Sequence, residues 1–271
     1  MPEGDTIWRV AERLRPVLVG RRLVRFEAAR LAGGPRPRPG EEVVDVTARG
    51  KHLLIGFERG VVLQTHLRMT GSWQLVRPGG RWPKPAHLAR AVVEVEGGWS
   101  AVCFSAPVVR TYHRSPVGGS TQPSPVAHLG PDLCQPEPDL AEVVRRARRN
   151  DPAMPACDLL LDQRVAAGIG NVYKAEVLWA CRVHPTTPLG ALDDEQIDAL
   201  YRTAHRFLRA NLGRDRRMTH GAVPGGLAVY GRRGRACVRC GVPVVTARLG
   251  ALPRSTFWCP RCQPPPAEDQ G

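Results

Sequence analysis

Gln163-Arg-Val-Ala-Ala-Gly168-Ile-Gly170-Asn171-Val-Tyr173-Lys174 is the stretch on which the fold of this chain turns. Apolar helical patterns flank it, over 156–162 before and 172–181 after. Gly168 and Gly170 permit tight turns and a close approach of backbone. The spacing predicts a short helix, a glycine turn, and Asn171 as N-cap of the next helix. Exposed N–H groups at such a helix start make an anion site, which a duplex phosphate fits without sequence preference. An ordinary helix corner with an Asn cap uses the same residues, so this stretch alone leaves both readings open.

C-terminal to it, Cys237-Val-Arg-Cys240 and Cys259-Pro-Arg-Cys262 are two Cys-x2-Cys knuckles eighteen residues apart. Each knuckle points two thiolates at one centre, and the pair completes a tetrahedron around one structural Zn²⁺ with no open position. Reduced metal-free cysteines, or a redox pair, are the competing reading; so short a segment has too little core to fold without metal. In the spacer, Phe257 and Trp258 pack a hairpin and leave Arg254 free to reach a phosphate. Cys103, Cys134, Cys157 and Cys181 are scattered and read as small buried residues.

Helical patterns also cover 139–149 and 193–211, the latter with Ile197, Leu200, Tyr201, Ala204 and Leu208 on one face. Residues 114–136, rich in Pro, Gly and Ser, read as a linker. From 22 to about 112 the period changes to short β-branched runs such as 43–46, 52–57, 61–66 and 91–95, broken by glycines. That is an antiparallel sandwich or barrel pattern. Residues 5–19 form an amphipathic helix, with Asp5 or Thr6 as its N-cap. The expected division is 2–113, linker 114–136, helical domain 137–231, zinc module 232–263 and a disordered tail 264–271.

With 271 residues and 42% hydrophobic content the chain is long enough for one large or two modest cores. Its net charge is +14, nearly all arginine, and only Lys51, Lys84 and Lys174 are lysines. Such a balance points to an anionic partner, nucleic acid above all. A membrane surface competes, but no basic amphipathic helix or long apolar run stands out. MPEGDTIWRV carries no signal-peptide pattern, which predicts a reduced, cytoplasmic protein.

Trimming of Met1 would expose Pro2 as a secondary amine beside the carboxylate of Glu3. An α-amino group titrates near ~8, well below a lysine, and a secondary amine condensing with an aldehyde carbon gives an iminium, a strong electron sink. An inert, trimmed terminus is the bland alternative. Lys51, in the turn Arg49-Gly50-Lys51, reads as a phosphate contact or as a solvated charge. His66-Leu67-Arg68-Met69-Thr70-Gly71 reads as a projecting loop, in which Met69 is core filler or enters a base stack to fill the space of an extruded base.

Taken in order, Pro2-Glu3-Gly4, Arg49-Gly50-Lys51, the 66–71 loop, Gly168 to Tyr173 and the Arg254 zinc finger resemble the formamidopyrimidine-DNA glycosylase/endonuclease VIII (Fpg/Nei) family, over residues 2 to 263. The resemblance implies an α+β multidomain fold. It has an N-terminal antiparallel β-sandwich with a leading helix, a helix-two-turn-helix domain and a four-cysteine zinc finger. It implies a monomeric base-excision-repair enzyme acting on damaged duplex DNA with one nucleotide flipped out, and no membrane partner. Pro2 would be the nucleophile and Glu3 the acid/base. Lys51 would bind phosphate and give the proton of β-elimination, and Arg254 would serve δ-elimination. Asn171 would contact DNA, and Met69 with Arg68 would fill the void. Gly4, and a 214–226 segment too short to cap 8-oxoguanine, resemble the endonuclease VIII branch and oxidised pyrimidine substrates. Two departures stand out. Thr6 occupies a position where the family has a second glutamate, with Asp5 beside it. An Arg-Phe pair of the other branch has no counterpart near Thr111-Tyr112-His113-Arg114. An 8-oxoguanine enzyme of the same fold and a non-catalytic zinc-ribbon DNA-binding protein are the alternatives.

Overall fold

A computed structural model describes residues 2–28, 31, 33–114 and 124–266. The chain divides into two compact units, Met1–His128 and Leu129–Gly271.

The first unit is a β-sandwich led by a helix. Helix α1 (Gly4–Leu18) buries Ile7, Ala11, Leu14 and Leu18, the i, i+3, i+4, i+7 face expected of it, against β2 and β3. Its N-cap is Glu3, earlier than the expected Asp5 or Thr6. The carbonyl of Glu3 accepts from the amides of Thr6 and Ile7 at 3.0 and 3.2 Å, so the backbone starts the helix without a side-chain cap. Strands β1 (Leu23–Glu27), β2 (Val43–Arg49), β3 (His52–Phe57), β4 (Val61–His66), β5 (Ser72–Val76), β6 (Ala89–Val95), β7 (Trp99–Phe104) and β8 (Val108–His113) follow. They form two antiparallel four-stranded sheets, ordered β1-β6-β7-β5 and β2-β3-β4-β8. The shared core holds Val46, Leu53, Ile55, Leu63, Trp73, Val93, Ala101 and Cys103. The indole of Trp73 donates to the buried Thr65 hydroxyl at 3.0 Å, so the largest core side chain leaves no polar atom unmatched.

The second unit contains α2 (Leu140–Ala147), α3 (Ala156–Leu159), α4 (Asn171–Ala180), α5 (Asp194–Ala210) and the zinc-module hairpin β9 (Val245–Leu249) and β10 (Arg254–Trp258). A capping box starts α5, with Asp193 and Gln196 satisfying each other's backbone amides. Helix α4 is buried on every face.

The expected linker ends too late. Of 114–136, residues 115–123 lie outside the described residues, but 129–134 belong to the helical unit. Asp132 bridges Ala167, and the Gly130 amide donates to the Gln163 carbonyl at 2.9 Å. A Cβ on Gly130 would lie 2.2 Å from the Val165 carbonyl, so that glycine marks packed backbone rather than a flexible spacer. Of the expected tail, 267–271 lie outside the described residues; Gln263, the last residue of the expected zinc module, is fully buried. Among the described residues no helix is long and apolar enough to cross a membrane.

Candidate nucleic-acid interface and zinc centre

In the sandwich unit, Pro2 is half-buried and heads α1, while Glu3 and Asp5 are both fully buried. Asp5 accepts from the Thr6 hydroxyl at 3.3 Å and lies 3.8 Å from the Arg9 guanidinium. A carboxylate next to Glu3 is therefore present at position 5, though the chain carries threonine at position 6. The positive end of the helix dipole offsets part of the cost of burying two carboxylates at a helix start.

Lys51 immediately precedes β3, in the tight 49–51 turn where Gly50 has φ +56°. Its neighbours form a cluster that periodicity did not single out. His52 and His66 are cross-strand partners with rings 4.7 Å apart, edge to face. Gln64 Nε2 meets His52 Nδ1 at 2.9 Å, and Arg110 stands opposite Gln64 on β8. Burial, then the neighbouring His66, His128, Lys51 and Arg110, pushes the His52 imidazole down to about 3. Burial, then Lys51 and Arg68, pushes His66 down to about 4. The face thus carries its charge on lysine and arginine and keeps its imidazoles neutral at pH 7. Such a surface gains from an anion laid across it.

The 66–71 loop projects as expected. Arg68 adopts a left-handed φ of +45° and Met69 is 66% exposed, so Met69 is not core filler. The loop is closed by the Gly71 amide on the Leu67 carbonyl at 2.9 Å and by the Thr70 hydroxyl on the Ser105 carbonyl at 3.0 Å. A Cβ on Gly71 would lie 2.7 Å from that Leu67 carbonyl.

In the helical unit, Gln163 builds the two-turn connection. Its Nε2 donates to the Leu161 and Ile169 carbonyls at 2.9 and 3.1 Å, and its Oε1 accepts from the Gly168 amide at 3.1 Å. Gly168 has φ +115°, which explains the glycine. The expected cap is corrected: Gly170 is the N-cap of α4 and Asn171 is its first helical residue. The Asn171 side chain instead donates to the Ser255 carbonyl at 2.7 Å, fastening the zinc hairpin to the helix. Arg254 is exposed as the first residue of β10.

The four clustered cysteine sulfurs lie within 4.8 Å of one another, with Cys240–Cys259 at 3.4 Å and Cys237–Cys262 at 3.9 Å. Zn–S bonds of ~2.3 Å in a tetrahedron require sulfurs ~3.8 Å apart. The donor set and spacing fit one structural zinc. Phe257 and Trp258 pack against Tyr230 and His184, ring centroids 5.1 and 5.5 Å apart, tying the hairpin to the helical unit. Cys103, Cys134 and Cys157 are buried and Cys181 is half-buried, as small packing residues should be.

Two buried charges in α4 escaped the sequence reading. Glu176 is fully buried and accepts from the amides of Ala228, Val229 and Tyr230 at 2.7, 2.9 and 2.7 Å, and from the Thr219 hydroxyl. Lys174, 1% exposed, donates to the Thr256 hydroxyl at 2.7 Å. A lysine within a largely apolar helix, in a chain with only three, was the one available signal.

The formamidopyrimidine-DNA glycosylase N-terminal domain matches residues 1–105, its H2TH domain 129–221, and a zinc finger found in FPG and IleRS 234–265. The chain is 41% identical to the "Probable endonuclease 8 2" of Streptomyces coelicolor, covering 100% of this chain and 97% of that protein. It is 36% identical to the "DNA-(apurinic or apyrimidinic site) lyase Nei2" of Mycolicibacterium smegmatis, covering 97% and 99%. The crystal structure of the MutM (Fpg) protein from Thermus thermophilus superposes with a TM-score of 0.76 at 30% identity, covering 97% and 98%. Three family domains in order and full-length likeness to endonuclease 8 proteins place this chain in the formamidopyrimidine-DNA glycosylase/endonuclease VIII family, on its endonuclease VIII branch.

Proposed function

We propose that this protein is a DNA glycosylase with abasic-site lyase activity that excises oxidised pyrimidines through an imine to Pro2. The observation that carries the reading is the start of α1, where half-buried Pro2 precedes a fully buried Glu3. With Met1 removed, the Pro2 nitrogen attacks C1′ of the damaged nucleotide and the base leaves with the bonding electron pair and a proton. Glu3 protonates the sugar ring oxygen as the ring opens, leaving an iminium. Transfer of the C2′ proton to water sends the C2′–H electron pair toward the iminium and breaks the C3′–O bond, whose pair leaves on the 3′ phosphate; Lys51 binds that phosphate and gives it a proton. Loss of the C4′ proton and cleavage of the C5′–O bond then complete δ-elimination, with Arg254 neutralising the departing phosphate.

Asn171, Met69 and Arg68 are assigned to DNA contact, Met69 filling the space of the extruded base. The exposure of Met69 and the neutral-histidine, arginine-rich face support this. The pyrimidine preference is supported by the compact 219–226 turn, in which the Thr219 and His220 amides both donate to the Gly226 carbonyl at 2.7 and 3.0 Å. Borohydride trapping on abasic duplex DNA tests the mechanism: the wild type forms a covalent adduct, and Pro2→Gly and Glu3→Gln proteins do not. An adduct that survives Pro2→Gly refutes the nucleophile. A lesion panel tests the substrate, and faster release of 8-oxoguanine opposite C than of thymine glycol opposite A overturns the pyrimidine assignment.

A further inference from the structure

The β9–β10 hairpin that carries Arg254 is two strands with no interior of their own, and such a hairpin is marginal by itself. Zinc holds the end near Cys259. Side chains of the helical unit hold the rest. Asp158, on α3, accepts from the Ala251 amide at 2.8 Å through Oδ2. Gly250 has φ +93°, and a Cβ there would lie 2.1 Å from Asp158 Oδ1, so the turn is seated directly on this carboxylate. On the other side of Arg254, Asn171 takes the Ser255 carbonyl and Lys174 the Thr256 hydroxyl, each at 2.7 Å. The hairpin is therefore fastened through its backbone three residues before Arg254 and one residue after it, and through the Thr256 side chain two residues after it.

We propose that Asp158 is a positioning residue for Arg254: by seating the 250–251 turn it fixes the direction of the guanidinium and so sets the rate of δ-elimination relative to β-elimination. This rests on the assignment of Arg254 to δ-elimination made above. Zinc, Asn171 and Lys174 all hold the hairpin on the Cys259 side of Arg254, whereas the Asp158 carboxylate holds the turn on its other side. A carboxylate on a backbone amide is a charge-assisted bond, stronger than a neutral one, and no zinc ligand replaces it.

The test compares Asp158→Ala, Asp158→Asn and Arg254→Ala with wild type on an abasic-site duplex, resolving β- and δ-elimination products on denaturing gels. Zinc content is measured in each, as is hydrogen exchange of the 249–254 peptide. Asp158→Ala is expected to slow δ-elimination three- to ten-fold with β-elimination within two-fold of wild type. Its zinc stays at one per chain and tip exchange speeds up about ten-fold. Asp158→Asn, which keeps one acceptor, falls between. Unchanged tip exchange, or δ-elimination within two-fold of wild type while Arg254→Ala loses it, overturns the proposal. If Arg254→Ala keeps full δ-elimination, the Arg254 assignment fails and this proposal falls with it, a result distinct from failure at Asp158 alone.

Discussion

Glu176→Gln should unfold the helical unit at far lower urea than wild type, and the size of the effect follows from its four donors. Oε1 accepts the Val229 and Tyr230 amides; Oε2 accepts the Ala228 amide and the Thr219 hydroxyl. Glutamine keeps one acceptor oxygen. Turned one way, its NH₂ faces the Val229 and Tyr230 amides, which cannot accept; turned the other, it faces the Ala228 amide, which cannot accept, and the Thr219 hydroxyl, which can. Hydrogen bonds to charged groups contribute roughly 1.5–3 kcal/mol each, so losing one or two costs about 1.5–6 kcal/mol. Small domains hold only about 5–15 kcal/mol in total. With a urea slope of about 2 kcal/mol/M, the midpoint falls by roughly 0.75–3 M. Urea-dependent hydrogen exchange of peptides spanning 226–232 reads this unit, and peptides from β3 and β4 report the sandwich as an internal reference. Thr219→Ala, which removes one donor only, should cost a fraction of this. A Glu176→Gln midpoint within about 0.5 M of wild type would refute the role of this carboxylate as the organiser of the 226–230 segment.

Acid should weaken the sandwich through its histidines. His52 and His66 are held below the ordinary value of ~6.5, so between pH 6.5 and about 4 the unfolded chain takes up protons that the folded one refuses. Stability is then full above pH 6.5 and falls as pH drops, by up to roughly 1 kcal/mol per pH unit after allowance for solvent screening of these part-exposed rings. Urea midpoints at pH 7 and pH 5 should converge in His52→Gln; an equal acid loss in that variant counts against the cause. Chelation should release one zinc per chain and expose the 237–262 amides to exchange while leaving the sandwich protected, and should abolish DNA binding before the sandwich unfolds. Hairpin protection that survives complete zinc removal contradicts the metal's structural role.

Much of the architecture was legible because local pattern and burial agree. The apolar stripes of 5–19 and 193–211 became α1 and α5, and the β-branched runs at 43–46, 52–57, 61–66 and 91–95 became strands. Strand β8 gave little signal because its residues are half-exposed, with no clean alternation. The cysteine spacing forecast the metal centre because two short turns suffice to gather four sulfurs. The N-caps were missed because backbone geometry, set by tertiary packing, places Glu3 and Gly170 at the helix starts. The linker's end was misread because a Pro- and Gly-rich composition also serves backbone packed against backbone, as Gly130 shows. Asp158, Lys174 and Glu176 escaped the sequence reading for a different reason. Their partners lie 93, 82 and 52–54 residues away, a range that no helical or strand period can encode.

Those separations dictate the order of events during synthesis. Lys174 leaves the ribosome long before Thr256 exists, and its helix must wait, with a cation facing an unfinished interior, until a further 82 residues have been translated. The helical half can therefore close only late, after the more locally paired sandwich has had time to form.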